Sequence, residues 1–134
     1  MTKLDWAAVF AGVNILILVI LAFRVVGARQ KHKVTIGDGG NPSVLQAIRA
    51  HANAAEYIPA GIAGLALLAI LEPASLLMVQ VLGGMLTFGR VAHGIGLSMS
   101  TGLSAGRALG MLSTWLALIG IGGVLVWAGL APML

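Results

Sequence analysis

Apolar residues fall in four long runs along this chain, separated by short polar stretches. The runs cover about Leu4–Arg29, Ser43–Leu71, Ala74–Leu97 and Ala105–Leu130, and the second is polar in its first half and apolar in its second. None shows the strict alternation of a strand. The first, apolar from Trp6 to Phe23, is long enough by itself to cross a hydrocarbon core that takes about 20 helical residues. Backbone groups in lipid must be satisfied within their own segment, so each run is expected to be a helix. The breaks have turn chemistry. In "KHKVTIGDGGNPS" (31–43), Gly37, Gly39, Gly40 and Pro42 surround Asp38. Asn41 or Ser43 can cap the next helix, with Pro42 in its first turn. In "EPAS" (72–75), Pro73 cannot continue the second helix but can open the third. "SMSTGLSAG" (98–106) reads as a polar loop. The expectation is an all-α membrane protein, a four-transmembrane-helix bundle forming one domain over residues 1–134.

Composition strengthens this reading. The chain has 134 residues, 59% hydrophobic and 9% charged, against roughly 25% charged in a soluble domain. A basic cluster follows the first run instead of preceding it, unlike a signal peptide. Without cysteine there is no disulfide framework or thiolate metal site, so sulfur chemistry would come from a ligand. The net charge of +4 rests on eight basic and four acidic residues. No exposed basic face with base-reading side chains emerges, so nucleic acid is not an expected partner. Glycines inside the runs, as in "LGGML" and "LIGIGGVL", suit close helix packing.

The basic residues predict an orientation. Arg24, Arg29, Lys31 and Lys33 flank the first break; Arg90 and Arg107 flank the third. The second break and the C-terminus carry no Lys or Arg, and Lys3 is offset by Asp5. The positive-inside rule places loops 30–42 and 98–106 in the cytoplasm and both termini outside.

Some polar residues exceed what topology needs. In "RAHANAAEY" (49–57), Arg49, Asn53 and Glu56 fall at i, i+4 and i+7 on one helix face. His51 points elsewhere, consistent with a helix-interface hydrogen bond. Arg90 and His93 are spaced i, i+3 near the cytoplasmic end of the third helix, and Arg107 opens the fourth at that level. Charges at membrane depth either pair or line a polar cavity. Arg49 and Glu56 therefore form an ordering ion pair or belong to a ligand site. As a site, the arginines present forks suited to carboxylates, Glu56 suits an ammonium, and Asn53 suits either. A zwitterionic ligand with several carboxylates matches. Metal ligation is a weak alternative, since no compact ligand spacing is present and nearby arginines repel a cation.

The strings "GDGGNPSVLQAIRAHANAAEYIP" and "GRVAHGIG", in a four-span chain of this length, resemble the MAPEG family, the membrane-associated proteins of eicosanoid and glutathione metabolism. The resemblance covers about residues 5–130, and the "GDGG" form looks like the bacterial branch, implying a bacterial inner membrane. It implies a left-handed-type four-helix bundle assembled as a homotrimer, with glutathione bound in a U shape between adjacent subunits near the cytoplasmic face. By that likeness Arg49, Asn53, Glu56 and Tyr57 match second-helix glutathione contacts. Arg90 and His93 match third-helix positions of the same pocket, and Arg29, with Arg24 second, matches a first-helix contact. Arg107 is the candidate for the cation that stabilises the thiolate, although the loop lengths around it do not align cleanly. Eicosanoid-type members carry a tyrosine where this chain has Leu97. The implied function is a glutathione transferase or peroxidase acting on lipophilic electrophiles or hydroperoxides from the membrane lipid. The rival readings are a small proton-coupled transporter using Glu56 and a non-catalytic glutathione-binding membrane protein.

Overall fold

The computed structural model describes residues 1–99, 102 and 104–131. Within them the chain forms four helices, α1 (Lys3–His32), α2 (Pro42–Ile70), α3 (Leu76–Met99) and α4 (Ala105–Leu130), and no strand. All four are long and apolar enough to cross a membrane. Each boundary has a local cause. Thr2 and Asp5 form a reciprocal capping box that starts α1, and Lys33 ends it in the left-handed conformation. Asn41 accepts from the Ser43 and Val44 amides, and Pro42, which lacks an amide hydrogen, occupies the first turn of α2. Gly37, Gly39 and Gly40 take the positive φ angles that turn the chain between these helices.

Three boundaries shift from the sequence expectation. Helix α1 runs on to His32, into the expected loop 30–42. Helix α3 begins at Leu76 and not at the Pro73 turn, because the Ser75 hydroxyl accepts from the Met78 amide and caps the helix there. The third break is shorter than 98–106: α3 continues to Met99 and α4 starts at Ala105, capped by Ser104. Residues 100, 101 and 103 of that loop lie outside the described residues.

Helix ends meet as an up-down bundle requires. Lys3 Nζ donates to the Leu71 and Ala74 carbonyls at 2.7 and 3.0 Å. It therefore caps the C-terminal end of α2, while Asp5 is held by Thr2. At the opposite end Arg24 reaches Ser98 and Gln46 reaches the Leu97 carbonyl. Helices α2 and α3 occupy the middle of the bundle, with α1 and α4 at opposite edges and, among the described residues, out of contact with each other. Helix α3 packs tightest on α4. A Cβ added at Gly110 would lie 2.5 Å from the His93 amide nitrogen, and one added at Gly96 would lie 2.7 Å from that of Arg107. This close approach sets the level of Arg90, His93 and Arg107.

Candidate functional site

The interior of the end that carries the basic residues is organised by one buried cation. Arg90 is 1% exposed and all its polar partners are neutral. Its Nε and Nη2 donate to Thr114 Oγ1 at 3.0 and 2.7 Å, Nη1 donates to Asn53 Oδ1 at 2.9 Å, and Nη2 also meets Met111 Sδ at 3.4 Å. The Tyr57 ring lies beneath the guanidinium, 5.1 Å from its carbon, a cation–π contact. Thr114 can accept twice because its own hydroxyl donates to the Gly110 carbonyl at 2.8 Å. Arg90 thus joins α2, α3 and α4.

A cleft of about 430 Å³ lies beside this hub, lined by Leu45, Gln46, Arg49, Asn53, His93, Leu97, Arg107 and Met111, with Pro42 at its edge. Donor and acceptor roles in it follow from chemistry. A guanidinium only donates, so Asn53 must turn its oxygen to Arg90 and keep Nδ2 for the cleft. Gln46 Nε2 donates to the Leu97 carbonyl at 2.7 Å, which leaves its oxygen as an acceptor. His93 Nδ1 lies 3.2 Å from the Arg107 carbonyl. A carbonyl only accepts, so Nδ1 carries the hydrogen and Nε2 of the neutral ring is a lone-pair acceptor. Arg107 donates to the Gly102 carbonyl. Arg49 is exposed, with no hydrogen bond or ion pair among the described residues. The cleft is therefore lined by two guanidinium groups and an amide donor against one amide oxygen and one imidazole nitrogen. That donor set fits an anionic ligand with carboxylates. Among the described residues the lining contains no carboxylate.

The expected site residues divide into three groups. Arg49, Asn53, His93 and Arg107 share the cleft. Arg90 and Tyr57 lie behind it: Arg90 holds Asn53, and the Tyr57 hydroxyl accepts from Trp115 Nε1 at 3.4 Å. Glu56 and Arg29 are elsewhere. Glu56 continues the Arg49–Asn53 face of α2 beyond the cleft and is exposed at the middle of that helix. It does not pair with Arg49, so the ordering ion pair is not formed within one chain. Arg29 lines a separate hollow with Val26, Gln30, Lys33, Val34 and Thr35, and its buried Nε has no partner among the described residues. His51 is half-buried without a hydrogen-bond partner among the described residues, unlike the bond expected of it.

Four contributors are absent from the sequence expectation. Gln46 and Leu45 extend the Arg49 face one turn toward the start of α2, a place the i, i+4, i+7 pattern already marks. Met111, one turn after Arg107 on α4, lines the cleft and meets Arg90. Thr114 is the fourth. A threonine inside an apolar spanning helix needs a partner, and that requirement was its signal.

The fold and the cleft define a four-span membrane protein with a cation-rich intramembrane recess. The model of the MAPEG family matches residues 7–127, and the chain belongs to that family. It is similar to the inner membrane protein YecN of Escherichia coli K12, 38% identical over 113 residues that cover 84% of each chain. The protein of the same name from Escherichia coli O6:H1 matches to the same extent.

Proposed function

We propose that this protein binds glutathione in the cleft between α2, α3 and α4, as a glutathione transferase or peroxidase of a bacterial inner membrane. The observation that carries the reading is the convergence of Arg49 and Arg107 on one recess, with the Asn53 donor turned toward it by Arg90. Glutathione supplies two carboxylates, an ammonium and a nucleophilic thiol. Arg49 and Asn53 Nδ2 hold carboxylate, and Gln46 Oε1 accepts from the ammonium. Arg107 favours thiolate over thiol, since an opposite charge within about 4–6 Å lowers an acid's pKa by roughly 1–3 units. Lipophilic electrophiles or hydroperoxides reach the cleft from the bilayer.

The same reading includes a homotrimer. Glu56 is exposed at the middle of a membrane-spanning helix, and a carboxylate facing lipid there is costly. A second copy covering this face shields Glu56 from lipid, with Arg29, whose Nε has no partner among the described residues, as the first-helix contact. Loops 30–42 and 98–106 face the cytoplasm. Because the chain lacks cysteine, single cysteines at Asp38 and Thr101 report on this directly; labelling of both from outside would contradict it.

The deciding experiment is glutathione titration of the detergent-solubilised protein by calorimetry, with difference absorbance near the ultraviolet edge for thiolate. The wild type should bind and show the thiolate band. Arg107→Ala should bind but lose the band. A trimeric wild type that binds no glutathione ends the proposal. Binding without a band or turnover selects the non-catalytic reading, which Leu97, an apolar wall where other members place a hydroxyl, favours.

A further inference from the structure

A second cleft lies on the opposite side of α3. It holds about 250 Å³ between α1 and α3, and its walls are Ile17, Ile20 and Leu21 from one helix and Val91, Gly94 and Ile95 from the other. The Arg90 stem contributes to it, while the Arg90 head points away to Asn53 and Thr114. The cleft is roomy at Gly94: a Cβ there would meet Leu21 only at ordinary contact distance, 3.8 Å. At one end stands Arg24. It is exposed but not loose, because its Nη1 donates to Ser98 Oγ, and the Ser98 hydroxyl donates to the Gly94 carbonyl. The guanidinium is thus tied to the rim, with Nε and Nη2 making no hydrogen bond among the described residues.

We infer that this groove binds an anionic phospholipid, one acyl chain along the Ile17–Ile95 walls and the phosphate on Arg24. The argument is complementarity along one axis. An apolar groove in a bilayer gains little by filling with just any chain, since lipid tails are as apolar as its walls. A fixed guanidinium at the membrane-surface end changes that, because its remaining fork suits a phosphate oxygen pair. Arg24 also lies at the end of α1 where Arg29, Lys31 and Lys33 cluster, the membrane-surface end at which a lipid phosphate sits. The site is independent of the glutathione reading, since the two clefts are separated by α3.

The test is lipid retention by native mass spectrometry. The delipidated protein is returned to micelles containing equal phosphatidylglycerol and phosphatidylcholine. The wild type should retain phosphatidylglycerol about fivefold over phosphatidylcholine per protomer, the preference of one basic side chain for an anionic surface. Arg24→Gln should bring the ratio to parity, Arg24→Lys should keep part of it, and Lys31→Gln should leave it unchanged. Gly94→Leu should retain neither lipid. If that variant does not fold, the exposed Arg24 pair still decides. Parity in the wild type overturns the inference, as does a preference that survives Arg24→Gln. So does disulfide cross-linking of copies through Val91→Cys in native membranes, which would make a second chain the occupant.

Discussion

The two ends of the bundle are built on different principles. At the end where Lys3 meets Leu71 and Ala74, the interior is a dry cluster that includes Ala7, Leu65, Leu68, Val79, Leu86, Ala117 and Ile121. At the other end an apolar cluster of Leu21, Ala50, Ala54, Ile58 and Leu97 is joined by buried Arg90, Thr114 and His93, and the Arg90 guanidinium is held by Thr114 and Asn53. In a bilayer the dry cluster gains little by leaving lipid, so its contribution is packing alone. The polar end has far more at stake in each bond, because a stranded charge there has no water to fall back on. One end is therefore tolerant and the other exacting. The cleft sits on the exacting end, where geometry is over-determined.

The largest effect should come from stranding Arg90. Thr114→Val preserves shape but removes the acceptor of two guanidinium bonds. A loss of about 3–5 kcal/mol is expected, as when a buried charge loses its partner. Arg90→Met should cost less, because it removes the charge together with the need for partners. Unfolding by sodium dodecyl sulfate, followed by circular dichroism, measures both. Equal stability of Thr114→Val and wild type would show that the hub is not what holds this end.

Arg49 should show the opposite profile. It is exposed and has no hydrogen bond or ion pair among the described residues, so Arg49→Ala should change stability by less than about 0.5 kcal/mol. Its glutathione affinity should fall by roughly 2–5 kcal/mol, the cost of truncating one partner of a desolvated charge pair. Arg49→Lys should recover only part, since a point charge does not reproduce the fork. Normal glutathione binding by folded Arg49→Ala protein would move the ligand off this face of α2.

The contrast between the ends also explains what the sequence made legible. Four helices, the Asn41 cap, Pro42 in a first turn and the glycine-rich turn were all readable, because local chemistry and hydrophobic run length decide them. Arg49, Asn53, His93 and Arg107 were brought to one level by helix spacing alone. Spacing did not reveal that Arg90 turns inward, because that depends on Thr114, 24 positions away on another helix. It also did not place Glu56, which shares the angular face of Arg49 but lies past the end of the cleft; angle is read from periodicity, while cleft length is set by neighbours. Asn14 passed unremarked in the first run. It is fully buried and donates to the Phe10 carbonyl and to Thr87, both at 2.8 Å. As the one strongly polar residue between Trp6 and Phe23, it had advertised an interhelical partner.

In the dry cluster the expected effects are smaller. Leu65 is fully buried there, and Leu65→Ala should cost about 2 kcal/mol, the low end of the range for such truncations. The low end follows because the side chain's alternative environment is lipid, so only the cavity is charged against the fold. Glutathione binding should be unchanged, which separates this variant from Thr114→Val. A loss of affinity in folded Leu65→Ala protein would mean that the two ends are coupled.

The smallest effect, and the finest probe of the contrast, belongs to Lys3. Its ammonium holds two carbonyls at the α2–α3 turn, where the last turn of a helix leaves acceptors without intrahelical donors. Lys3 is half-buried and Leu71 is partly exposed, so water can replace part of what the side chain supplies. Lys3→Met keeps an apolar stem of similar reach and removes only the donor. About 1 kcal/mol of stability should be lost, the usual net worth of such a bond. Lys3→Arg should restore it, since the requirement is for a donor and not for a particular cation. Hydrogen exchange locates the change: amides around 71–76 should exchange faster in Lys3→Met, while those around Arg90 and Thr114 keep their protection. Faster exchange at both ends would mean that the dry half transmits strain to the polar half, and the division drawn between them would fail.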